Sequence, residues 1–241
     1  MAYTSWRGVV GMIKPTMRPG SLEESIRLLP EGIGVIPLFL GVYGGTESGF
    51  RNAVDAYVPL LDQFAEQGVD LISAGGEPPF MMQGVKGEAA MVRRWEKKYK
   101  IPILSTGRNA VAALKALKAK NIIVVRATDW DKKGVIARYF TQAGFKVLGA
   151  HSLEATWEGI SNVSIEQTYA FIKQAVLSHK NCGGVYTMGS INKGLHVTDM
   201  LEQDLGIPII SSAACYPWNI QKALNVRQPV EGYGRLLNEL P

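Results

Sequence analysis

The segment Ile101-Pro-Ile-Leu-Ser-Thr-Gly107 recurs later in the chain as Ile207-Pro-Ile-Ile-Ser-Ser-Ala213. A helical pattern follows each copy, and the two patterns end in the same letters, at Lys115-Ala-Leu117 and at Lys222-Ala-Leu224. A short apolar run that leads into a helical pattern is typical of a buried strand followed by a helix. The two copies therefore predict two equivalent strand–helix units.

Two further pairs of segments extend this repeat. Gly68-Val-Asp-Leu-Ile-Ser-Ala-Gly-Gly76 has the shape of Gly183-Gly-Val-Tyr-Thr-Met-Gly-Ser190 and a similar offset, and Val9–Ile13 corresponds to Ile122–Val125. Self-similarity over several strand–helix units indicates a duplicated architecture. We expect two similar α/β halves related by a pseudo-twofold axis.

Short apolar runs compatible with buried strands alternate with helical patterns along the chain. This alternation is typical of parallel sheets covered by helices on both faces. We therefore predict an α/β fold of two Rossmann-like lobes, the first from residues 1–108 plus 214–241 and the second from residues 109–213. Ligands of parallel sheets bind beyond the carboxyl ends of the strands, so we expect the active site in the cleft between the lobes. The runs are Val9–Ile13, Val35–Phe39, Val69–Ser73, Ile101–Leu104, Ile122–Val125, Gly184–Thr187 and Ile207–Ile210.

Composition and charge exclude several classes of protein. The chain is 46% hydrophobic and 20% charged, as expected of a globular protein with a buried core. The net charge of +5 comes from basic residues within helical patterns, so solvated helix faces account for it and no nucleic-acid partner is expected. No apolar run reaches the roughly 18 residues that cross a bilayer, and no signal-peptide pattern is present, so we expect no membrane partner and a cytoplasmic protein. The two cysteines and three histidines lack the spacing of metal ligands, so no metal is expected.

Taken together, these features resemble the aspartate/glutamate racemase superfamily, closest to its arylmalonate decarboxylase and maleate isomerase branch. The resemblance extends over nearly the whole chain. It is carried by the end of the first strand, the repeated strand ends, the segment after Val125 and the tail. These motifs are Gly11-Met-Ile13 with Pro15, Ile101 to Thr106, Arg126-Ala-Thr-Asp-Trp130, Ser211-Ser212 with Trp218, and Gly232-Tyr-Gly-Arg-Leu-Leu237.

The resemblance implies a cofactor-independent reaction through a carbanion or enediolate next to a carboxylate. In the racemases of this superfamily, two cysteines exchange a proton on opposite faces of the substrate, whereas the decarboxylases keep the second cysteine alone. Backbone amides and hydroxyl groups hold the substrate carboxylate, and such donors stabilise developing negative charge without a metal. We therefore expect no cofactor.

This sequence departs from the family at both cysteine positions. The first position falls at Gly75, and the second falls at Met188 or Gly189. A methionine thioether carries no exchangeable proton, so a two-thiol proton shuttle is not available there. Gly76 and Glu77 replace a family hydroxyl pair, and Glu77 either points away from the substrate or serves as a general acid/base. We assign Glu77 and Met188 to the catalytic positions.

Further residues at strand ends or in the loops after them are candidates for substrate binding. The backbone amides after the strand that ends at Thr187 are expected to form an anion-binding nest. Trp130 takes the place of a family tyrosine, and its indole N–H donates a hydrogen bond but cannot accept one. Tyr43 and Tyr216 either supply a phenol to the cleft or pack against the core. The full set is Pro15, Tyr43, Gly75, Gly76, Thr128, Trp130, Thr187, Gly189, Ser190 and Tyr216.

The sequence thus favours a lyase, decarboxylase or isomerase that acts on a small carboxylic acid with a non-cysteine acid/base. Two alternatives stay open. In the first, the same fold catalyses another reaction, such as hydration or carbon–carbon cleavage. In the second, the protein is not catalytic and binds a small carboxylate. The oligomeric state is also open, with a homo-oligomer among the options.

Overall fold

The computed structural model describes residues 5–17, 20–41, 46, 49–50, 53–189 and 193–241. The strands in this part of the chain form two parallel sheets. The first sheet contains β1 (Gly8–Lys14), β2 (Ile33–Phe39), β3 (Leu71–Ala74) and β4 (Ile103–Ser105). The second sheet contains β5 (Asn121–Arg126), β6 (Lys146–Ser152), β7 (Val185–Thr187) and β8 (Ile209–Ser211).

Helices connect the strands, which confirms the predicted α/β alternation. In the first half of the chain they are α1 (Ser21–Arg27), α2 (Tyr57–Gln67), α3 (Glu77–Met81), α4 (Gly84–Tyr99) and α5 (Thr106–Ala116). In the second half they are α6 (Val135–Gln142), α7 (Ile165–Leu177), α8 (Gly194–Leu205), α9 (Ser212–Ala223) and α10 (Arg235–Glu239).

The two sheets have the same strand order. It is β2-β1-β3-β4 in the first sheet and β6-β5-β7-β8 in the second. The orders coincide when β1 is matched with β5, β3 with β7 and β4 with β8, which are the three pairs that the sequence repeat predicts. The prediction of two similar α/β lobes is therefore confirmed.

The strand β6 was not predicted, and with β2 it forms a fourth matching pair. It lies at the edge of the second sheet, and none of its residues is fully buried. Its sequence, from Lys146 to Ser152, contains polar residues and a central glycine instead of a continuous apolar run. An edge strand of this kind gives little of the hydrophobic signal by which the other strands were recognised.

The buried residues of each sheet pack against the helices that follow its strands. On one face of the first sheet, Ile13 and Ile72 lie in a cluster with Tyr57 and Phe64 of α2. Tyr57, Leu61 and Phe64 are the buried positions of α2, at the helical spacing that the sequence predicts. The opposite face of this sheet packs Val10, Met12 and Leu71 against Ile220 of α9. The second sheet has its own cluster, in which Ile123, Val125 and Val185 pack with Ile172, Val197 and Leu201.

The chain divides into two compact units, residues 1–109 with 216–228 and residues 110–215 with 229–241. The tail 229–241, which the sequence grouped with the first lobe, therefore belongs to the second unit. Glu202 holds the tail there by accepting a hydrogen bond from the backbone N–H of Arg235 at 2.7 Å. Gly234 lies so close to Thr198 that a Cβ on this glycine would come within 2.3 Å of it.

Candidate functional site

Parallel strands place their carboxyl ends at one edge of the sheet, where ligands of such sheets bind. The first strand-end edge is formed by the ends of β1, β3 and β4 and by the residues that follow them, among them Pro15 and Gly75–Glu77. The second strand-end edge is formed by the ends of β5, β7 and β8, with residues 127–131 and Met188–Gly189. Both edges carry predicted site residues.

Gly75 and Gly76, which follow β3, are positions where the backbone geometry requires glycine. A Cβ on Gly75 would lie 2.4 Å from the carbonyl oxygen of Ile13, closer than real Cβ atoms come. Gly76 has a φ of 117°, which residues with a side chain rarely adopt, and a Cβ there would lie 2.6 Å from the hydroxyl of Tyr57. The N–H of Gly75 donates to Ile13 at 3.0 Å, so the sheet ladder already uses this amide.

The hydroxyl of Tyr57 fixes the backbone of this loop. It donates to the carbonyl oxygen of Gly75 at 2.6 Å, and the side chain is fully buried. Burial raises the pKa of Tyr57 well above its usual value, and the charges of Tyr216 and Glu88 raise it further. Tyr57 therefore stays protonated and serves as a structural donor.

Tyr216, in α9, presents its hydroxyl to the same loop. The phenol oxygen would lie 3.3 Å from a Cβ on Gly75, where the sequence resemblance leads us to expect the first family cysteine position. It also lies 3.4 Å from the hydroxyl oxygen of Thr106, whose own proton is donated to the carbonyl of Ala74 at 3.1 Å. The Thr106 oxygen can therefore accept from the phenol. Tyr216 is only half-buried, unlike Tyr57, so a ligand can reach it.

Lys14 is a buried cation at the end of β1. Its Nζ donates to the carbonyl of Ser21 at 3.2 Å and lies 5.5 Å from the ring centroid of Tyr216. Burial lowers the pKa of Lys14 to about 8, although the carboxylates of Glu24 and Glu23 act in the opposite direction. A positive charge thus lies over the ring of Tyr216 near neutral pH, in a cation–π arrangement.

Glu77 is the first residue of α3 and is buried, with 7% of its surface exposed. Its neighbours Pro78 and Pro79 fix the backbone at the start of this helix. Pro15 lies on the other side of Gly75, with its Cδ 3.5 Å from the place of a Cβ on that glycine. The first strand-end edge therefore combines Pro15, Gly75, Gly76 and Tyr216 around one loop, with Glu77 at its end.

The second strand-end edge repeats this geometry. The N–H of Met188 donates to the carbonyl of Val125 at 2.9 Å, as the N–H of Gly75 does to Ile13 in the first unit. Met188 is 2% exposed, whereas Gly189 is exposed. Thr187, before them, is buried, and its hydroxyl has no hydrogen-bond partner within the described residues. Met188 thus corresponds to Gly75 in the repeat.

Arg126 is the last residue of β5 and is buried beside this loop. It donates to the carboxylate of Asp129 at 2.6 Å, and Asp129 also forms an ion pair with Lys132. The hydrogen bond from Lys132, and then that from Arg126, lowers the pKa of Asp129. Thr128 and Trp130, both predicted to bind substrate, lie in the same loop and are 7% and 9% exposed.

Neither cysteine lies in the segments that directly follow β3 or β7. Cys182 precedes β7, at the opposite end of that strand, and its Sγ contacts the carbonyl of Gly184 at 3.4 Å. Burial raises the pKa of the Cys182 thiol, so it stays protonated near neutral pH. Cys215 is buried inside α9, with 1% of its surface exposed. Among the residues described, no set of three His, Cys, Asp or Glu side chains is grouped as a metal site requires.

The structure describes ten of the twelve predicted site residues, and two further polar residues lie beside them. Tyr43 and Ser190 lie outside the described residues. Lys14 and Arg126 were not predicted, although the sequence carries a signal for them. Each is a basic residue that ends an otherwise apolar strand, Gly8–Lys14 or Asn121–Arg126, at matching points of the repeat.

Solved structures share this fold over nearly their whole length. A crystal structure of arylmalonate decarboxylase superposes with a TM-score of 0.82 at 20% sequence identity, covering 95% of this chain and 98% of that chain. The maleate isomerase Iso from Pseudomonas putida S16 gives 0.86 at 18% identity, with 97% and 99% covered. The maleate cis-trans isomerase of Nocardia farcinica gives 0.85 at 17% identity, with 96% and 98% covered. At these identities the likeness establishes the fold.

The duplicated units define a two-lobed α/β protein of the arylmalonate decarboxylase and maleate isomerase type. The sequence profile of the arylmalonate decarboxylase family matches residues 10–237, and the chain belongs to that family. No curated protein matches the sequence. Within the described part of the chain, no helix is long and apolar enough to cross a bilayer.

Proposed function

We propose that the protein is a cofactor-independent decarboxylase or isomerase that acts on a small carboxylic acid through a carboxylate-stabilised carbanion or enediolate. Membership of the arylmalonate decarboxylase family supports the reaction class. The observation that carries the proposal is the placement of a proton-bearing group, the Tyr216 hydroxyl, 3.3 Å from the Cβ position of Gly75. This phenol lies next to the position that we expect for the first family thiol.

The chemistry requires proton transfer to or from carbon. In decarboxylation, the bond to the leaving carboxylate breaks, carbon dioxide departs, and the electron pair is delocalised into the group that remains. An acid on the protein then gives its proton to that carbon. In hydrogen exchange, or in isomerisation at a saturated carbon that bears a hydrogen next to the carboxylate, a base first removes that proton and the resulting acid returns one.

Two groups at the first strand-end edge meet this requirement. Tyr216 is partly accessible and carries a proton, and the ammonium of Lys14 stabilises the phenolate that is left after the transfer. Glu77, the acid/base predicted from the sequence, is a carboxylate at the end of the same loop. We propose that one of these two oxygen acids performs the step that a thiol performs in relatives.

Matched variants distinguish the two groups. We would compare the wild-type protein with Glu77→Gln and Tyr216→Phe, measuring α-deuterium exchange and carbon dioxide release with small mono- and dicarboxylic acids. Glu31→Gln and Tyr99→Phe remove the same chemical groups away from this loop and serve as controls. We expect one site variant to lose at least about a hundredfold in rate, as typical for general acid–base catalysis, and both controls to keep the wild-type rate.

Each pattern of results has a definite meaning. Loss in Tyr216→Phe alone assigns the proton to the phenol, and loss in Glu77→Gln alone assigns it to the carboxylate. Full activity in both variants overturns the non-thiol acid/base proposed here. An acid that raises the melting temperature, yet is recovered unchanged and without deuterium, supports a non-catalytic binding protein instead.

A further inference from the structure

The buried guanidinium of Arg126 has an incomplete set of hydrogen bonds. Its Nη2 donates to Asp129 at 2.6 Å, whereas Nε and Nη1 have no partner within the described residues. The side chain is only 6% exposed, so bulk water does not supply the missing partners. Proteins pair nearly all buried polar groups because an unpaired one is costly, and a group left unpaired marks the place of a water, an ion or a ligand.

The neighbouring carboxylates do not satisfy this cation. Asp129 is shared between Arg126 and Lys132, so two positive charges share one negative charge. Asp131 accepts from the backbone N–H groups of Val135 and Ile136, at 2.6 and 3.0 Å, and thus caps the start of α6. The cluster of Arg126, Asp129 and Lys132 therefore keeps an excess of one positive charge.

A second unpaired donor lies two residues further along the same loop. The hydroxyl of Thr128 is buried and has no partner among the described residues. Val125 and Thr187 are the last paired residues of β5 and β7. Arg126 directly follows Val125, and Met188 directly follows Thr187 and donates its N–H to the carbonyl of Val125. Arg126 and Met188 therefore lie side by side where the pairing of the two strands ends. Gly189, which follows Met188 in the chain, is exposed.

We propose that Arg126 and Thr128 form an oxyanion-binding site at the second strand-end edge, suited to a carboxylate or another small oxyanion. A guanidinium presents planar N–H donors that match the oxygens of such groups, and charge-assisted hydrogen bonds of this kind are short and strong. The site stands on the geometry of the second unit alone. Only the further step, that the bound carboxylate is part of the substrate, rests on the proposed function.

Calorimetric titration with malonate and, separately, sulfate tests the site directly. We expect Arg126→Gln to weaken malonate binding at least about thirtyfold, because a buried charged partner is lost. Arg126→Lys should recover part of the affinity, and Thr128→Val, which keeps the side-chain shape, should lose less than Arg126→Gln. Arg138→Gln, at a position where the side chain bonds only to the nearby Lys133 carbonyl among the contacts described, is the matched control and should bind as the wild type does.

His151 provides a second readout that does not depend on how stable the variants are. Burial, and then the charges of His179 and Arg126, lower the pKa of His151. An anion at Arg126 offsets the last of these effects, so malonate should raise the pKa of His151, followed through its ring protons by NMR. Thr128→Val should reduce this shift.

The outcomes separate this site from the proposed reaction. Binding of malonate in preference to sulfate identifies a carboxylate site, and the reverse preference identifies a site for tetrahedral oxyanions. Equal malonate affinity in Arg126→Gln and wild type, or no binding of either anion to the wild type, overturns the proposal. Arg126-dependent binding without turnover of any acid keeps this site and refutes the proposed reaction.

Discussion

Lys14 and Arg126 occupy the same point of the duplicated fold. Lys14 ends β1, which pairs with β3, and Arg126 ends β5, which pairs with β7. Each directly follows the residue whose carbonyl accepts a hydrogen bond from the N–H of Gly75 or of Met188, at 3.0 and 2.9 Å. Both side chains are buried, with 8% and 5% of the residue surface exposed. Each unit therefore places one buried cation next to Gly75 or Met188, the positions that the sequence resemblance assigns to the family cysteines.

Because the ammonium of Lys14 is buried, we expect the free energy of unfolding to depend on pH in the alkaline range. Its pKa is about 8 in the folded protein and near 10.5 in the unfolded chain, so below pH 8 the folded state bears the full cost of the buried charge. Between pH 8 and 10.5 the unfolded chain binds more protons, and this cost disappears as the pH rises. We expect Lys14→Met to be more stable than wild type by about 3 kcal/mol below pH 8.

Urea denaturation at a series of pH values measures this difference. It should shrink between pH 8 and 10.5 and vanish above that range. Lys115→Met, on an exposed face of α5, is the control and should show no such trend. A difference for Lys14→Met that stays constant from pH 7 to pH 11 would show that the ammonium is not desolvated.

A side chain at Gly75 would require the neighbouring backbone to shift. Its Cβ would meet the backbone oxygen of Ile13 at 2.4 Å, and the strand that carries this oxygen cannot move without disturbing the ladder. We predict that Gly75→Ala lowers the free energy of unfolding by about 1–3 kcal/mol, as measured by urea denaturation. Gly183→Ala is the control, because its Cβ would come no closer than 3.4 Å to another atom. Equal stability of the two variants would contradict the close approach at Gly75.

The C-terminal ends of α4 and α8 offer a reciprocal pair of substitutions. Lys100 and Gly206 both adopt the left-handed conformation, with φ of 60° and 66°, just before the two repeated strands. This conformation is unfavourable for lysine, whereas glycine adopts it without steric strain. Lys100→Gly should therefore stabilise the protein by about 0.5–1 kcal/mol, and Gly206→Lys should destabilise it by a similar amount. Thermal unfolding of both variants tests the prediction, and effects of the same sign would contradict it.

Most of the fold could be predicted because its central strands are continuous apolar runs and because the two halves of the repeat are similar in amino-acid sequence. Ile101-Pro-Ile and Ile207-Pro-Ile precede the buried ends of β4 and β8, and burial on both faces requires such sequences. The edge strand β6 could not be predicted because it contains half-exposed and polar residues instead of a continuous apolar run. The sequence groups the tail with the first lobe, whereas its hydrogen bond to Glu202, a long-range contact without a local signal, ties it to the second unit.

The site was predictable only in part, because side-chain environments do not follow from local pattern. The sequence indicates that polar residues and glycines follow the strands, and these lie at the two edges. It does not show that Tyr216 approaches Gly75, since these residues are distant in the chain and meet only through the packing of α9. Nor does it show that Arg126 is buried, because a basic residue at the end of a strand is ordinarily solvated.

The measurement that tests the central claim most directly is incubation of the wild-type protein with small mono- and dicarboxylic acids in deuterated water, without added metal or cofactor. NMR would follow both product and α-deuterium. The account predicts that at least one acid, arylmalonates and maleate being the first choices, loses carbon dioxide, isomerises or gains deuterium at the carbon next to its carboxylate. Binding of these acids without exchange, isomerisation or carbon dioxide release would contradict it.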